Sequence, residues 1–234
     1  MATRPGRRRY HHGNLREALI AAARRLIAER GPAGFTLVEA ARLARVSPAA
    51  PYRHFADRDA LLAEVAQRGF DEFDRRLAAA WQAAEQDPGA AFLRMGQAYL
   101  AFAQDEPGYY SAMFAAGASA TRKRLAHRKA SLVALETAIA QVAAGSRKKV
   151  DPRPLAYQVW ALSHGLATLA AAGRLPTGDA RLKPGALLRE GVRALVSGAG
   201  SPGEGGAPAR DHRGAGRPRR RATAADRRAD DGEM

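Results

Sequence analysis

Apolar side chains recur at helical spacing through Leu15, Leu19, Ala22 and Leu26, and the run stops at Gly31-Pro32. Asn14 is followed three residues later by Glu17, the form of a capping box, in which two side chains satisfy amides that a first helical turn leaves without partners. The pattern predicts a first helix from Asn14 to the Gly31-Pro32 stop. Thr36 with Glu39 repeats the box and opens a short helix to Ala44, whose Ala40, Ala41 and Ala44 would let another helix approach closely. A third start falls at Ser47-Pro48, because proline in the first helical position gives up an amide that has no intrahelical partner. Asp57 caps a fourth helix, with Leu61, Leu62, Val65, Phe70, Phe73, Leu77 and Trp81 along one side.

The pattern breaks at Asp87-Pro88-Gly89. Beyond it, alanine-rich helical segments are predicted at 90–105, 108–116, 119–145, 152–173 and 184–197, and nowhere does the chain alternate with the two-residue period of a half-buried strand. After Ser197 the chain is mostly Gly, Pro, Ala, Arg and Asp, with too little apolar surface to offset the entropy of ordering, so 198–234 is expected to be a disordered basic tail. Residues 1–13 form a similar basic arm, with Arg4, Arg7, Arg8 and Arg9 among glycine and proline. The fold class expected is all-α, with a small unit over 14–60 and a larger one over 61–197 between disordered termini.

Charge changes this picture. The 38 Lys and Arg against 23 Asp and Glu give a formal net charge of +15, which points toward a nucleic-acid partner without naming it. There is no cysteine, which excludes disulfides, thiolate metal sites and cysteine nucleophiles and fits a reducing compartment. The best signal-like segment, Ala18 to Ala28, carries Arg24 and Arg25 in its middle, and no stretch is long and apolar enough to span a bilayer, so a cytoplasmic protein without a membrane partner is expected.

Catalytic chemistry finds no support. The histidines, His11, His12, His54, His127, His164 and His212, include no H-x-x-x-H pair, and no acid–His–nucleophile set can be assembled, so neither an enzyme, a metal nor a cofactor is expected. Gly198, Gly200 and Gly203 satisfy G-x-G-x-x-G but follow a helix and lead into the tail, which fails the structural test for a dinucleotide site. Gly216 to Arg221, Gly-Arg-Pro followed by three arginines, resembles the AT-hook core that lies in a narrow minor groove; the plainer reading, a solvated basic tail, is preferred.

The segment Phe35 to Phe55 carries the function. A capped short helix, a turn at Arg45-Val46-Ser47 and a second short helix ending Tyr52-Arg53-His54-Phe55 have helix-turn-helix spacing. In that motif the first helix lies over the DNA backbone and the second offers its N-terminal side chains to base edges in the major groove. Ser47, Ala49, Ala50 and Arg53 are small or hydrogen-bonding residues suited to that surface, and Tyr52 and His54 can reach phosphates.

These words, with Tyr10-His11-His12-Gly13-Asn14-Leu15, Phe35-Thr36-Leu37 and the run Ser47 to Leu62, closely resemble the tetracycline-repressor-like (TetR) family. The resemblance implies a DNA-binding transcriptional regulator in which Thr36 and Arg58 clamp phosphates, Tyr52 and His54 contact the backbone, and Ala49, Ala50 and Arg53 face bases. It continues more weakly through Glu106 to Phe114 and Trp160 to Gly165, which look like the subgroup with a Trp-His-Gly signature in its sensor domain. Two positions depart from the family. Arg45 stands where glycine is usual in the turn, and Pro51 sits inside the reading helix, where it biases Ala50 away from helical geometry and leaves about one regular turn.

The resemblance further implies a homodimer in which Leu155, Val159, Leu162 and Leu166 pair with Leu188, Gly191, Val192 and Leu195 across a two-fold axis, and a pseudo-palindromic operator on double-stranded DNA. Met95, Tyr99, Phe102, Tyr110, Met113 and Phe114 form an apolar set able to line a pocket for an apolar or amphipathic effector, although such a stripe is more often core. Trp160 and His164, four apart on one helix face, suit either role. The rival reading is a sequence-independent architectural DNA binder driven by the two basic ends.

Overall fold

The computed structural model describes residues 12–115, 122–144 and 150–198, and among these it contains eight α-helices, two 3₁₀ turns and no strand. The basic arm up to residue 11 and the tail after 198, with its AT-hook-like run, lie outside the described residues.

Helix α1 (His12–Arg30) begins before Asn14, so Asn14 lies within the helix and does not cap it. Helix α2 (Leu37–Leu43) opens on the expected box: Thr36 Oγ1 accepts from the Glu39 amide at 3.1 Å, and the Thr36 amide donates to Glu39 Oε2 at 2.9 Å. It closes on a Schellman motif, in which the Val46 amide donates to the Ala41 carbonyl at 3.0 Å and the Arg45 amide to that of Arg42 at 3.1 Å. The motif needs a left-handed residue, and Arg45 takes φ 59°, the sole non-glycine residue with positive φ among those described. That conformation costs an L-residue about 1–2 kcal/mol.

The second helix of the motif is a single turn, as expected from Pro51. Pro51–Arg53 forms one 3₁₀ turn, closed by the His54 amide on the Pro51 carbonyl at 2.9 Å. Ala50 is in the right-handed helical region (φ −63°, ψ −38°), not pushed toward extended backbone. Pro51 is fully buried, and its packing outweighs the modest bias it exerts on the preceding residue. Its missing N–H still prevents an α-helix from running through from Ser47.

Asp57 Oδ1 accepts from the Ala60 amide at 2.7 Å and starts α3 (Arg58–Gln82) as expected. Phe35, Leu19, Ile27, Leu61 and Val65 are buried together between α1, α2 and α3, each contributing roughly 1.5–3 kcal/mol of transfer free energy. Glu17, expected in a cap, instead accepts from Arg68 Nη2 of α3 at 2.6 Å.

The larger unit follows. Asp87, read as part of a break, is the N-cap of α4 (Pro88–Asp105), accepting from the Ala90 amide at 3.0 Å, with Pro88 in the first helical position. The rest comprises α5 (Pro107–Met113), α6 (Arg122–Ala144), α7 (Pro152–Ala171), a 3₁₀ turn at Ala180–Leu182 and α8 (Pro184–Gly198). None of these helices is long and apolar enough to cross a membrane.

Residues expected to meet a partner copy lie elsewhere. Leu155, Val159, Leu166, Leu188 and Val192 are buried within this chain's own core, beside Phe92, Met95 and Ile139. Gly191 makes a notch for Leu162, whose Cδ2 would stand 2.6 Å from an added Cβ. Periodicity identifies an apolar stripe without saying which neighbour covers it, and here α4 and α6 do. The outward face of α7 and α8 carries Gln158, Ala161, Thr168, Leu169, Glu190 and Ala194, all exposed.

Candidate functional site

On the helix-turn-helix, Thr36, Ser47, Ala49, Tyr52 and Arg53 are exposed, and Ala50, His54 and Arg58 are half-buried. Tyr52 keeps 58% of its surface, although it adjoins the buried Pro51. The 3₁₀ turn thus anchors one edge in the core and turns the other outward.

Arg58 is engaged inside the unit. Its Nε donates to the Phe35 carbonyl at 3.0 Å, Nη2 to the Pro32 carbonyl and Nη1 to Asp59 at 2.7 Å, with the guanidinium 5.0 Å over the Phe35 ring. It clasps the turn between α1 and α2. Arg16 likewise pairs with Glu64 at 2.9 Å and Arg30 with Glu39 at 2.8 Å. Hydrogen bonds from Thr36 and Arg30 hold the Glu39 carboxyl below its usual range. By contrast, Arg42, Arg45 and Arg53 are exposed and make no side-chain bond among the described residues, so they surround the 47–53 segment with unpaired positive charge. Arg42 and Arg45 were not among the expected site residues. Their sequence signal was available: basic side chains on either side of the motif's turn, where phosphates run.

Helix α5 joins the two halves. Ala112 is fully buried in the core of α1 to α3, while Tyr110 and Met113 belong to an aromatic cluster with Phe73, Tyr99 and Phe102. A Cβ added at Gly108 would lie 2.2 Å from the Arg24 carbonyl oxygen, so only glycine lets α5 rest directly on the α1 backbone. Glu106, just ahead of α5, accepts from Arg24 Nη1 at 2.8 Å, and the same guanidinium lies 5.0 Å over the Tyr109 ring.

The larger unit encloses a cavity of about 800 Å³ between α3, α4, α6, α7 and α8, within the range of small-molecule sites. Met95, Tyr99, Met113, Phe114 and Trp160 line it. Phe102, Tyr110 and His164 do not: Phe102 is fully buried behind Phe73, 5.3 Å from its ring, and the other two support Tyr99 from behind. Phe70, Phe73 and Trp81, expected only along one side of their helix, also form the wall, and Phe92 joins them.

Behind the wall lies a polar cluster. Tyr110 Oη is 2.7 Å from His164 Nδ1, and Tyr99 Oη is 3.3 Å from each of them. Burial pushes both tyrosine hydroxyls above their ordinary range and holds His164 below its own. Burial thus favours the neutral ring, which shares the short hydrogen bond between Nδ1 and the Tyr110 hydroxyl, its direction set by the ring's tautomer. Phe114 meets the imidazole edge-on at 4.5 Å.

These elements define a class: a helix-turn-helix protein joined to a larger helical unit that encloses a ligand-sized cavity. Residues 19–65 match the family described as bacterial regulatory proteins, tetR family, and residues 92–195 match the tetracyclin repressor-like, C-terminal domain. The chain belongs to the TetR family of bacterial transcriptional regulators. A protein of unknown function from Rhodococcus sp. RHA1 is 31% identical, with a TM-score of 0.69 over 83% of this chain and 100% of that one. The fatty acid degradation regulator FadR from Bacillus halodurans is 14% identical, with a TM-score of 0.62 over 77% of this chain and 93% of its own. AibR, solved in complex with isovaleryl coenzyme A and operator DNA, is 21% identical, with a TM-score of 0.61 over 77% and 97%. The latter two share the fold. No curated protein matches the chain.

Proposed function

We propose that the protein is a ligand-responsive repressor in the cytoplasm, a homodimer that holds a pseudo-palindromic operator and releases it when a small molecule enters the cavity. The observation that carries this reading is α5: Met113 forms part of the cavity wall, and five residues earlier on the same short helix Gly108 rests on the α1 backbone. A ligand shifts only an equilibrium whose two states it binds unequally, and a seven-residue helix held at both ends has little slack to absorb a displaced Met113. AibR, with the same fold, holds an acyl thioester and operator DNA together, which supports a coupled pair of sites.

On this reading Ala49, Ala50 and Arg53 face bases, and Thr36, Ser47, Tyr52, His54, Arg42 and Arg45 face the phosphate backbone. Arg58 acts by positioning the α1–α2 turn. The outward face of α7 and α8, with small side chains at Ala161, Gly165 and Ala194, suits close packing of two copies into a four-helix interface. Trp160, His164 and Gly165 support an assignment to the subgroup with the Trp-His-Gly signature.

The test is to select genomic fragments bound by the full chain and compare the recovered site with random duplex at physiological salt. At least about a thousandfold preference is expected. Equal affinity for both duplexes would replace this reading with the architectural one.

A further inference from the structure

The cavity wall has an uneven distribution of charge. Of the described residues that line it, only Asp74 and Arg189 are charged, and the remainder are mostly aromatic, aliphatic or small. Asp74 accepts the Ser131 hydroxyl at 2.7 Å, on the side where α3 meets α6. Arg189, on α8, has no side-chain partner among the described residues and is exposed.

Arg189 stands at an opening. Leu93 and Gln97, four apart on α4, and Gly185 and Arg189, four apart on α8, flank the point where Leu188 lies on Gly96. A Cβ added at Gly96 would be 2.9 Å from Leu188 Cδ2, so the two helices touch there. A Cβ at Gly185 meets nothing within 4 Å, so the edge beside Arg189 is open. The Tyr99 hydroxyl of the wall is already engaged, with Tyr110 and His164 behind it. A guanidinium offers five donors and binds carboxylate or phosphate in a fork, with a strength that rises beside low-dielectric walls.

We propose that the cavity takes an amphiphile with an anionic acid head, its chain against Phe73, Trp81 and Phe92 and its carboxylate or phosphate paired with Arg189 at the α4–α8 opening. The proposal rests on the reading of the cavity as the effector site and names the chemistry of its occupant. The apolar aromatic wall around Phe73 and Tyr99 suits the chain, because a charge there would lose water without a counterion.

The experiment is calorimetric titration of the full chain, and of its Arg189→Gln variant, with decanoate, decyl phosphate, decanol and decylamine. Decanoate or decyl phosphate should bind the native protein roughly tenfold more tightly than decanol, as a charge-assisted bond predicts. In the variant that ratio should fall toward one while decanol affinity stays unchanged, which also reports an intact cavity. The tighter of the two acids identifies the head as carboxylate or phosphate. Decanol binding as well as both acids, or decylamine binding best, overturns the acid-head assignment and leaves the effector site standing. Failure of all four probes to bind, with operator binding intact, overturns both this assignment and the ligand half of the proposed function.

Discussion

Arg24 Nη1 donates to Glu106 Oε2 at 2.8 Å, a bond between residues 82 positions apart that ties α1 to the start of α5. Both side chains are partly exposed, so the pair itself contributes less than about 1 kcal/mol to stability. Its effect is geometric. Arg24→Ala should leave the urea midpoint almost unchanged and weaken the dependence of operator affinity on effector. Gly108→Ala puts a methyl group into the Arg24 backbone and should cost about 2–3 kcal/mol as overpacking. A Gly108→Ala protein as stable as the parent would mean that α5 and α1 are not in firm contact.

Arg58 and Arg53 should separate by readout. Arg58→Ala removes charged hydrogen bonds to two backbone carbonyls, and should lower stability by about 1–2 kcal/mol and reduce affinity for every duplex. Arg53→Ala should leave stability within about 0.5 kcal/mol and relax base preference at one operator position, by about 1–3 kcal/mol. Thermal melts paired with binding to single-base operator variants decide it. An Arg58→Ala protein that melts with the parent and loses only one unit of salt slope would mark Arg58 as a phosphate contact.

The Schellman motif at Arg45 has a counterpart in the same chain. At the end of α7, Gly173 (φ 63°) donates to the Ala170 carbonyl and Arg174 to that of Leu169, the same two bonds with glycine in the left-handed position. Arg45→Gly should therefore raise stability by about 0.5–1 kcal/mol, the relieved strain exceeding the added freedom of the unfolded chain. It should also lower the salt dependence of operator binding, because an unpaired guanidinium is lost. Chemical denaturation and salt titration measure the two effects separately.

His164 predicts an acid-side loss of stability. Burial holds its folded pKa below the ordinary histidine value of 6.5, so the unfolded chain takes up a proton first as pH falls. Stability is unaffected above 6.5, declines below it and levels off once the folded ring also protonates. His164→Gln should flatten that segment of the curve. Glu72, pulled down to about 2 by Arg75 and Arg76, adds a second loss below the ordinary glutamate value of 4.5. That loss should persist in the variant.

Dimerisation is expected through the exposed side of α7 and α8. Ala161→Glu, at a position exposed in the single chain, should leave the helical circular-dichroism signal intact and give a monomer by sedimentation. Leu188→Ala should instead destabilise the chain by about 2–5 kcal/mol, because it empties the internal core. A dimer that survives Ala161→Glu would place the interface elsewhere.

Local chemistry was the most legible part of the fold. Thr36 with Glu39 and the cap at Asp57 each concern residues three apart, and both appear as expected. Asn14 misled because a good capping residue also occurs inside a helix that starts earlier. The reading turn has the length expected from Pro51, but Ala50 stays in the helical region, since the effect of a proline on its neighbour depends on burial that pattern alone does not reveal. Long-range partners were the least legible. Nothing local says that Arg58 bonds the carbonyls of Pro32 and Phe35, or that Leu155 and Val159 face α4 and α6 and not a second copy. The same limit applies to the cavity, where helical spacing cannot separate Tyr99 on the wall from Phe102 behind it.

Helix α3 runs unbroken for 25 residues, from the cap beside the reading turn to Gln82 at the cavity. At 1.5 Å per residue it is a rod about 37 Å long. Treated as a lever pivoting near Gln82, a tilt of only about 5° carries its first turn through roughly 3 Å. That is close to the rise of one base-pair step, about 3.4 Å. In a two-fold pair the two displacements add, and half-sites set one helical turn apart lose register with both heads at once. A change too small to alter the packing around Trp81 is thus magnified, by length alone, to the spacing of bases in DNA.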